Sequence, residues 1–292
     1  MKKAKPVCVF TSDIHANHIK PRCRKEKDWF EYQKEKFLWL NRLCSSLKAP
    51  LVAVGDVFET ESHPPKLINL VIDNLPDMYV TCGNHDLKYH SRELLHKTAY
   101  GVLIKSRGIT ELNEPFEIKD GFVIHPYHFG EEYDECPKNG KFNILIGHEL
   151  IWSGKPFPGA PEQGHVDRII ERAPGYDLYV FGDNHHFFKH EKILNNGSLF
   201  RLTAKQLLYQ PKVHVLYDDG TIDHIDVPVE GDMITREHLE VEKRVKQNVG
   251  RFVSGLRKYE GGNIEDRLKE LMNDSEIEVC KIIEEEMEKI NE

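Results

Sequence analysis

"YVFGDNHHFF", residues 179–188, is a run of bulky apolar side chains that stops at Gly182 and turns polar within one step. The apolar half is short and continuous, as in a strand buried on both faces. The polar half is no ordinary solvent turn, because Asp183, Asn184, His185 and His186 can all bind protons or cations. The pattern recurs in "FTSDIH" (10–15), "VAVGDVF" (52–58), "VTCGNHD" (80–86) and "LIGHEL" (145–150). In α/β sheets, ligands collect at the carboxyl ends of strands, where loops converge. Those ends here carry Asp13, His15, Asp56, Asn84, His85, His148, Asp183 and His185. Each motif alone is weak; five in order, each closing an apolar strand, are a strong signal.

The rest of the chain supports a covered sheet. Strand-like runs lie at 6–12, 50–55, 78–83, 122–129, 142–147 and 178–182. Between them, residues 32–47 place Phe37, Leu40, Leu43 and Leu47 on one helical face, and 64–75 and 91–104 read as helices too. Later the pattern changes to hairpins, expected at 190–202 around Asn196-Gly197 and at 212–228 around Asp219-Gly220. After Pro228 the sequence is helical and highly charged. The expected organisation is a catalytic domain over 1–228 and a helical C-terminal extension over 229–292.

A chain of 292 residues suits one large α/β unit with an appendage. It is 39% hydrophobic and 30% charged, a globular composition. No apolar run reaches the length of a bilayer span, and the opening "MKKAKPVCVFTSD" is too short in apolar residues for a signal-peptide core. The expected location is the cytoplasm, with no membrane association. The cysteines form no C-x-x-C pair, which argues for buried free thiols. The net charge of −8 excludes coating of nucleic acid by bulk attraction. One local exception is "KPRCRKEK" (20–27), either a solvated loop or a phosphate-contacting patch.

Asp, His and Asn without Cys suit borderline-hard divalent ions such as Mn²⁺, Fe²⁺ or Zn²⁺. The donors are too many for one tetrahedral ion and enough for two that share a carboxylate. The order D-x-H, G-D, G-N-H-D, G-H and G-(H/D)-x-H resembles the calcineurin-like metallophosphoesterase superfamily over roughly residues 6–228. Within it, "SDIH", "GDVFE" and "GNHDL" are similar to the nuclease subunit of SbcCD-type DNA repair complexes. The "GDNH" at 182–185 and the "PGAP" loop at 158–161 resemble phage and prophage members.

The resemblance implies a four-layer αββα sandwich and a two-metal displacement at phosphorus. It makes Asp13, His15 and His185 ligands of one ion and Asn84, His148 and Asp183 ligands of the other, with Asp56 bridging. It places His85 against the leaving oxygen and Asp86 behind it, orienting the ring. Most of the superfamily has His where this chain has Asp183. Along an extended exit, residues 183 and 185 point one way and 184 and 186 the other, so Asp183 and His185 stay the ligand pair and His186 is a bystander. A third carboxylate favours harder ions, so Mn²⁺ is expected first, with Fe²⁺, Zn²⁺ and Mg²⁺ as alternatives.

The expected activity is phosphodiester hydrolysis, foremost of DNA; the alternative is a phosphatase or a small-molecule or cyclic-nucleotide phosphodiesterase. Of the remaining histidines, His125 and His128 are expected to be packed, His214, His224 and His238 at the surface, and His18, His90 and His165 near the cleft. Val241, Val245, Val249, Phe252 and Leu256 form one apolar helical stripe, and Val279, Ile283, Met287 and Ile290 another. They make residues 229–292 a docking element for an SbcC-like ATPase, by resemblance, or for a second copy of the chain.

Overall fold

The computed structural model describes residues 4–106, 108–240 and 243–244. The chain divides into two compact units, Met1–Met233 and Ile234–Glu292. In the second, residues 237–240 are helical. The two amphipathic stripes expected at 241–256 and 279–290 lie outside the described residues.

The first unit is built on β1 (Pro6–Thr11), α1 (Trp29–Leu47), β2 (Leu51–Val54), α2 (Pro65–Asn74), β3 (Met78–Thr81), α3 (Ala99–Ser106) and β4 (Ile109–Glu111). Next come β5 (Phe116–Lys119), β6 (Phe122–Tyr127), β7 (Phe142–His148), α4 (Val166–Arg172) and β8 (Leu178–Gly182). The chain continues with β9 (Phe188–His190), β10 (Ile193–Asn195), β11 (Lys212–Tyr217) and β12 (Ile222–Asp226). Two six-stranded mixed sheets result, ordered β12-β11-β1-β2-β3-β4 and β5-β6-β7-β8-β10-β9.

Alternation along the strands assigns the layers. Leu51 and Ala53 of β2 face outward with Val9 and Val80, against Phe37 and Leu40 of α1 and Leu67 and Val71 of α2. Val52 and Val54 face inward and meet Ile144, Ile146 and Val180 of the second sheet. On the far side, Leu145, Tyr179 and Phe181 pack on Val166 and Ile169 of α4. The order is helix, sheet, sheet, helix, the expected αββα sandwich. Helix α1 starts where the Asp28 carboxylate accepts the Glu31 N–H (3.0 Å) and stops where Lys48 turns left-handed.

Two expectations fail for local reasons. Segment 91–104 is not one helix: Arg92–Lys97 forms 3₁₀ turns, and α3 begins only at Ala99. Thr98 is extended, and its hydroxyl caps the new helix by accepting the Gly101 N–H (3.0 Å). The hairpin at 190–202 is also absent. The chain reverses earlier, between β9 and β10, which pair antiparallel. Asn196-Gly197 instead turns the chain toward β1, where Ser198 bridges Ser12 in parallel and the Leu199 N–H donates to the Asp13 carbonyl (3.2 Å). The hairpin of β11 and β12 forms as expected, but β11 also pairs with β1 inside the sheet.

Candidate metal centre

The parallel register brings the ligand-bearing strand ends level. Val9 pairs with Leu51, Leu51 with Met78, and His148 with Gly182. Beyond the strands the first two loops stay zipped, with the Asp13 N–H on the Gly55 carbonyl (3.2 Å) and the His15 N–H on the Asp56 carbonyl (2.9 Å).

The side chains then converge in three overlapping groups. Asp13, His15 and His185 offer donor atoms within 4.8 Å of one another, and so do Asp13, Asp56 and His148, and His15, Asp56 and His85. His15 Nε2 lies 3.0 Å from His185 Nε2, 3.5 Å from Asp56 Oδ2 and 3.8 Å from Asp13 Oδ1. His148 Nε2 lies 3.2 Å from Asp56 Oδ2 and 4.0 Å from Asp183 Oδ1. Asp56 Oδ2 therefore stands between His15 and His148. Asn84 sits on the loop that Gly83 presses against Asp56, with its Oδ1 buried.

The donors fit cations. Asp56 Oδ2, His148 Nε2 and Asn84 Oδ1 are buried without a hydrogen-bond partner, a cost that bound ions remove. His148 Nδ1 donates to the Val54 carbonyl (2.9 Å), so the neutral ring carries its lone pair on Nε2. Residues 7–187 match the family described as calcineurin-like phosphoesterase. The chain belongs to that family. It is a metal-dependent phosphoesterase, a hydrolase. A solved structure, the metallophosphoesterase from Sphaerobacter thermophilus, is similar at 12% identity and a TM-score of 0.34, over 78% of this chain and 91% of that one. A search of curated proteins finds no match.

This phosphoesterase centre is held in strained backbone. Asp13, His15, Asp56 and Asp183 all have positive φ, between 46° and 81°, which non-glycine residues adopt at a cost. Two glycines make room for it. A Cβ on Gly55 would lie 2.0 Å from His148 Nδ1, and one on Gly83 would lie 2.0 Å from Asp56 Oδ1. The carboxylates also make the pocket strongly favour positive charge. Burial opposes a charged imidazole at His148, yet Asp56, Asp13 and Asp183 push its pKa up to about 10. Burial likewise opposes ionisation of Asp56, but His148, His15 and His85 hold it below the usual carboxylate range.

His85 stands beside the cluster, its ring edge-on to His15 at 4.9 Å. Its Nδ1 donates to the Glu59 carbonyl (2.6 Å), which leaves the lone pair on Nε2. Asp86 does not touch this ring, contrary to the sequence-based expectation. Its buried carboxylate accepts the N–H groups of Val57 (3.3 Å), Phe58 (3.1 Å) and Gly83 (3.1 Å), stitching the Asp56 loop to the Asn84 loop. Burial and the neighbouring Asp56 charge raise its pKa to about 7 against those three donors.

The residue that sequence reasoning missed is Glu59. Its Oε2 lies 3.0 Å from His15 Nδ1, an ion-pair contact without hydrogen-bond alignment. Its signal was its place three residues after Asp56. Ser12, whose hydroxyl donates to the Asp13 carboxylate, was missed as well.

Other candidates go elsewhere. Arg24 of the basic segment is buried: it forks onto Glu26, reaches Asp232 (3.2 Å) and lies over the Tyr32 ring. Lys20 donates to the Glu26 carbonyl. The segment is thus a clamp on residues 229–233 more than an open phosphate patch. His125 and His128 are packed as expected, and His186 is exposed against Tyr209. His214 is buried, not at the surface, because β11 lies inside the sheet; its Nδ1 meets Asn196 Oδ1 (2.8 Å). Exposed His18 pairs with half-buried His63, His90 packs on Phe129, and His165 packs on Trp152. A further group, Cys82, Glu111 and His128, also lies within 4.8 Å. There the Cys82 N–H donates to His128 Nδ1 (3.0 Å), so the ring proton sits on Nε2 and blocks it as a ligand.

Among the described residues no helix is long and apolar enough to cross a membrane.

Proposed function

We propose that this phosphoesterase cleaves phosphodiester bonds of DNA, in the manner of the nuclease subunit it resembles, with two Mn²⁺ ions. Asp13, His15 and His185 would hold one ion and Asn84, His148 and Asp183 the other, with Asp56 between them. Two bound divalent ions supply Lewis-acid charge that polarises the phosphoryl group and lowers the pKa of water. The chain's own part is positioning and proton control. Glu59 meets His15 through its carboxylate and fixes His85 through its carbonyl. With Nδ1 committed, His85 can deliver a proton or hydrogen bond only through Nε2, to the departing oxygen.

The observation that carries the reading is the overlapping donor groups around Asp56, with His85 on their less buried side. Support for a nucleic-acid substrate comes from the loops that leave the ligand-bearing strands. Ile19, Tyr89 and Phe157 are large, apolar and exposed, one on the loop after each of β1, β3 and β7. Such side chains offer stacking and packing surfaces to unpaired bases. In the same reading, the C-terminal unit docks a coiled-coil ATPase or a second copy of the chain. A test of that part must truncate after Met233, because Asp232 closes the Arg24 clamp.

Purified protein with Mn²⁺, given labelled single- and double-stranded DNA, bis(p-nitrophenyl) phosphate and p-nitrophenyl phosphate, tests the activity. Cleavage of DNA and of the diester supports the reading. Turnover of the monoester alone would make the protein a phosphatase.

A further inference from the structure

Cys82 comes just before Gly83, Asn84 and His85, and both of its backbone groups are held from the opposite sheet. Its N–H donates to His128 Nδ1 (3.0 Å), and its carbonyl accepts the Phe129 N–H (3.1 Å). Cys82 follows β3 of one sheet, whereas His128 and Phe129 follow β6 of the other. The backbone of His128 is fixed in its own turn. Its N–H donates to Glu131 Oε2 (2.8 Å), and its carbonyl accepts the Glu131 N–H (3.1 Å). The same turn meets the continuing loop twice more. The His90 ring lies edge-on to Phe129 at 5.4 Å, and Arg92 pairs with Glu131 (3.5 Å).

The contact at His128 does more than pack. Cys82 is 0% exposed and His128 4%, so a backbone N–H there is costly without an acceptor. To accept it, the ring keeps its lone pair on Nδ1 and its proton on Nε2. The Glu111 carboxylate, with a donor atom within 4.8 Å of those of Cys82 and His128, favours an N–H beside it over a lone pair. Downstream of Cys82 the chain has little slack. A Cβ on Gly83 would lie 2.0 Å from Asp56 Oδ1. The Gly83 N–H donates to Asp86 Oδ2 (3.1 Å), and the His85 N–H to Asp56 Oδ1 (3.0 Å). A shift of Cys82 is therefore passed on to Asn84 and His85.

We propose that His128 is a positioning residue for the metal centre. By holding the Cys82 N–H, it sets where Asn84 and His85 stand against Asp56. The inference rests on the reading of Asn84 as a metal ligand and of His85 as the group beside the departing oxygen. His128 acts through the Cys82 backbone and takes no part in the chemistry itself.

Two amide variants of the full chain test it. The side-chain oxygen of His128→Asn can stand where Nδ1 stands, whereas that of His128→Gln reaches only the place of Nε2. In metal-free protein, hydrogen exchange at the Cys82 amide should be about tenfold faster in His128→Gln than in the wild type, the cost of one buried unpaired N–H. His128→Asn should keep the wild-type rate. With Mn²⁺, His128→Gln should lose about tenfold or more in affinity for one ion and in kcat on bis(p-nitrophenyl) phosphate. His128→Asn should stay near the wild type in both. A purely structural role would lower urea stability in both variants and leave no difference between them. Exchange is read without metal, so it separates this inference from the ligand assignment. Fewer than two ions on the wild type would overturn that assignment, while the exchange contrast still decides the role of His128. Equal exchange in the two variants, or equal Mn²⁺ affinity and kcat, overturns the proposal.

Discussion

His148 Nδ1 donates to the carbonyl of Val54 across 2.9 Å, and this one bond aims His148 Nε2 at Asp56 Oδ2, 3.2 Å away. The two residues lie on strands of opposite sheets, so the centre exists only where the sheets are packed. Gly55 permits the contact, since any Cβ there would strike the His148 ring. Gly55→Ala should therefore weaken metal affinity by about 10–100-fold, the range seen when a partner that orients a ligand is lost. Equilibrium dialysis against Mn²⁺ measures it; unchanged affinity would mean that the ring position does not govern binding.

Arg24→Ala should act on stability and leave nucleic-acid affinity largely alone. Removing a buried guanidinium strands Glu26 without its counter-charge and leaves Asp232 only Lys36 (3.4 Å) and Arg201 (3.9 Å), a loss of about 3 kcal/mol. Urea denaturation reads the cost. A variant of wild-type stability with a flattened salt dependence of DNA binding would restore the phosphate-patch reading of residues 20–27.

Much of the fold was legible because burial on both faces writes continuous apolar runs, and because each strand end changes character within a residue. The side chains that the fold clusters at the strand ends were legible for the same reason. What escaped the sequence depends on contacts between distant residues. Arg24 reads as surface charge until Asp232, far along the chain, is brought to it. Asn196-Gly197 carries a hairpin signal, yet its turn delivers Ser198 to Ser12. His214 reads as a polar residue in an edge hairpin, but β11 pairs with β1 and carries it inside. Asp86 comes directly after His85 in sequence, while its three backbone donors come from two loops that only the fold makes adjacent.

Tyr89→Ala tests the stacking surface. Tyr89 is 81% exposed on a left-handed backbone four residues after His85. Losing one base stack, about 1–3 kcal/mol, should lower kcat/KM on single-stranded DNA by about tenfold or more. Hydrolysis of bis(p-nitrophenyl) phosphate should be unaffected. Equal losses on both would place Tyr89 in the folding of the His85 loop.

His214 gives a pH dependence with a definite sign. Burial, helped by His224, Lys212 and Lys189, pushes its pKa down to about 3 from the ordinary 6.5. The unfolded chain takes up this proton first as the pH falls. The stability held through neutral His214 is complete above pH 6.5 and is lost as pH falls toward 3, at up to about 1.4 kcal/mol per pH unit. Urea midpoints from pH 7 to 4 should drop more steeply in the wild type than in His214→Gln. Parallel curves would contradict the assignment.

The most direct measurement is the number of ions the chain holds. Elemental analysis after dialysis against Mn²⁺ should find two ions per chain in the wild type and two in His85→Ala, which should be nearly inactive. Asp56→Ala should fall below one, because removing the shared carboxylate takes a ligand from both groups at once. One ion per wild-type chain, or two retained by Asp56→Ala, would contradict a centre built around Asp56.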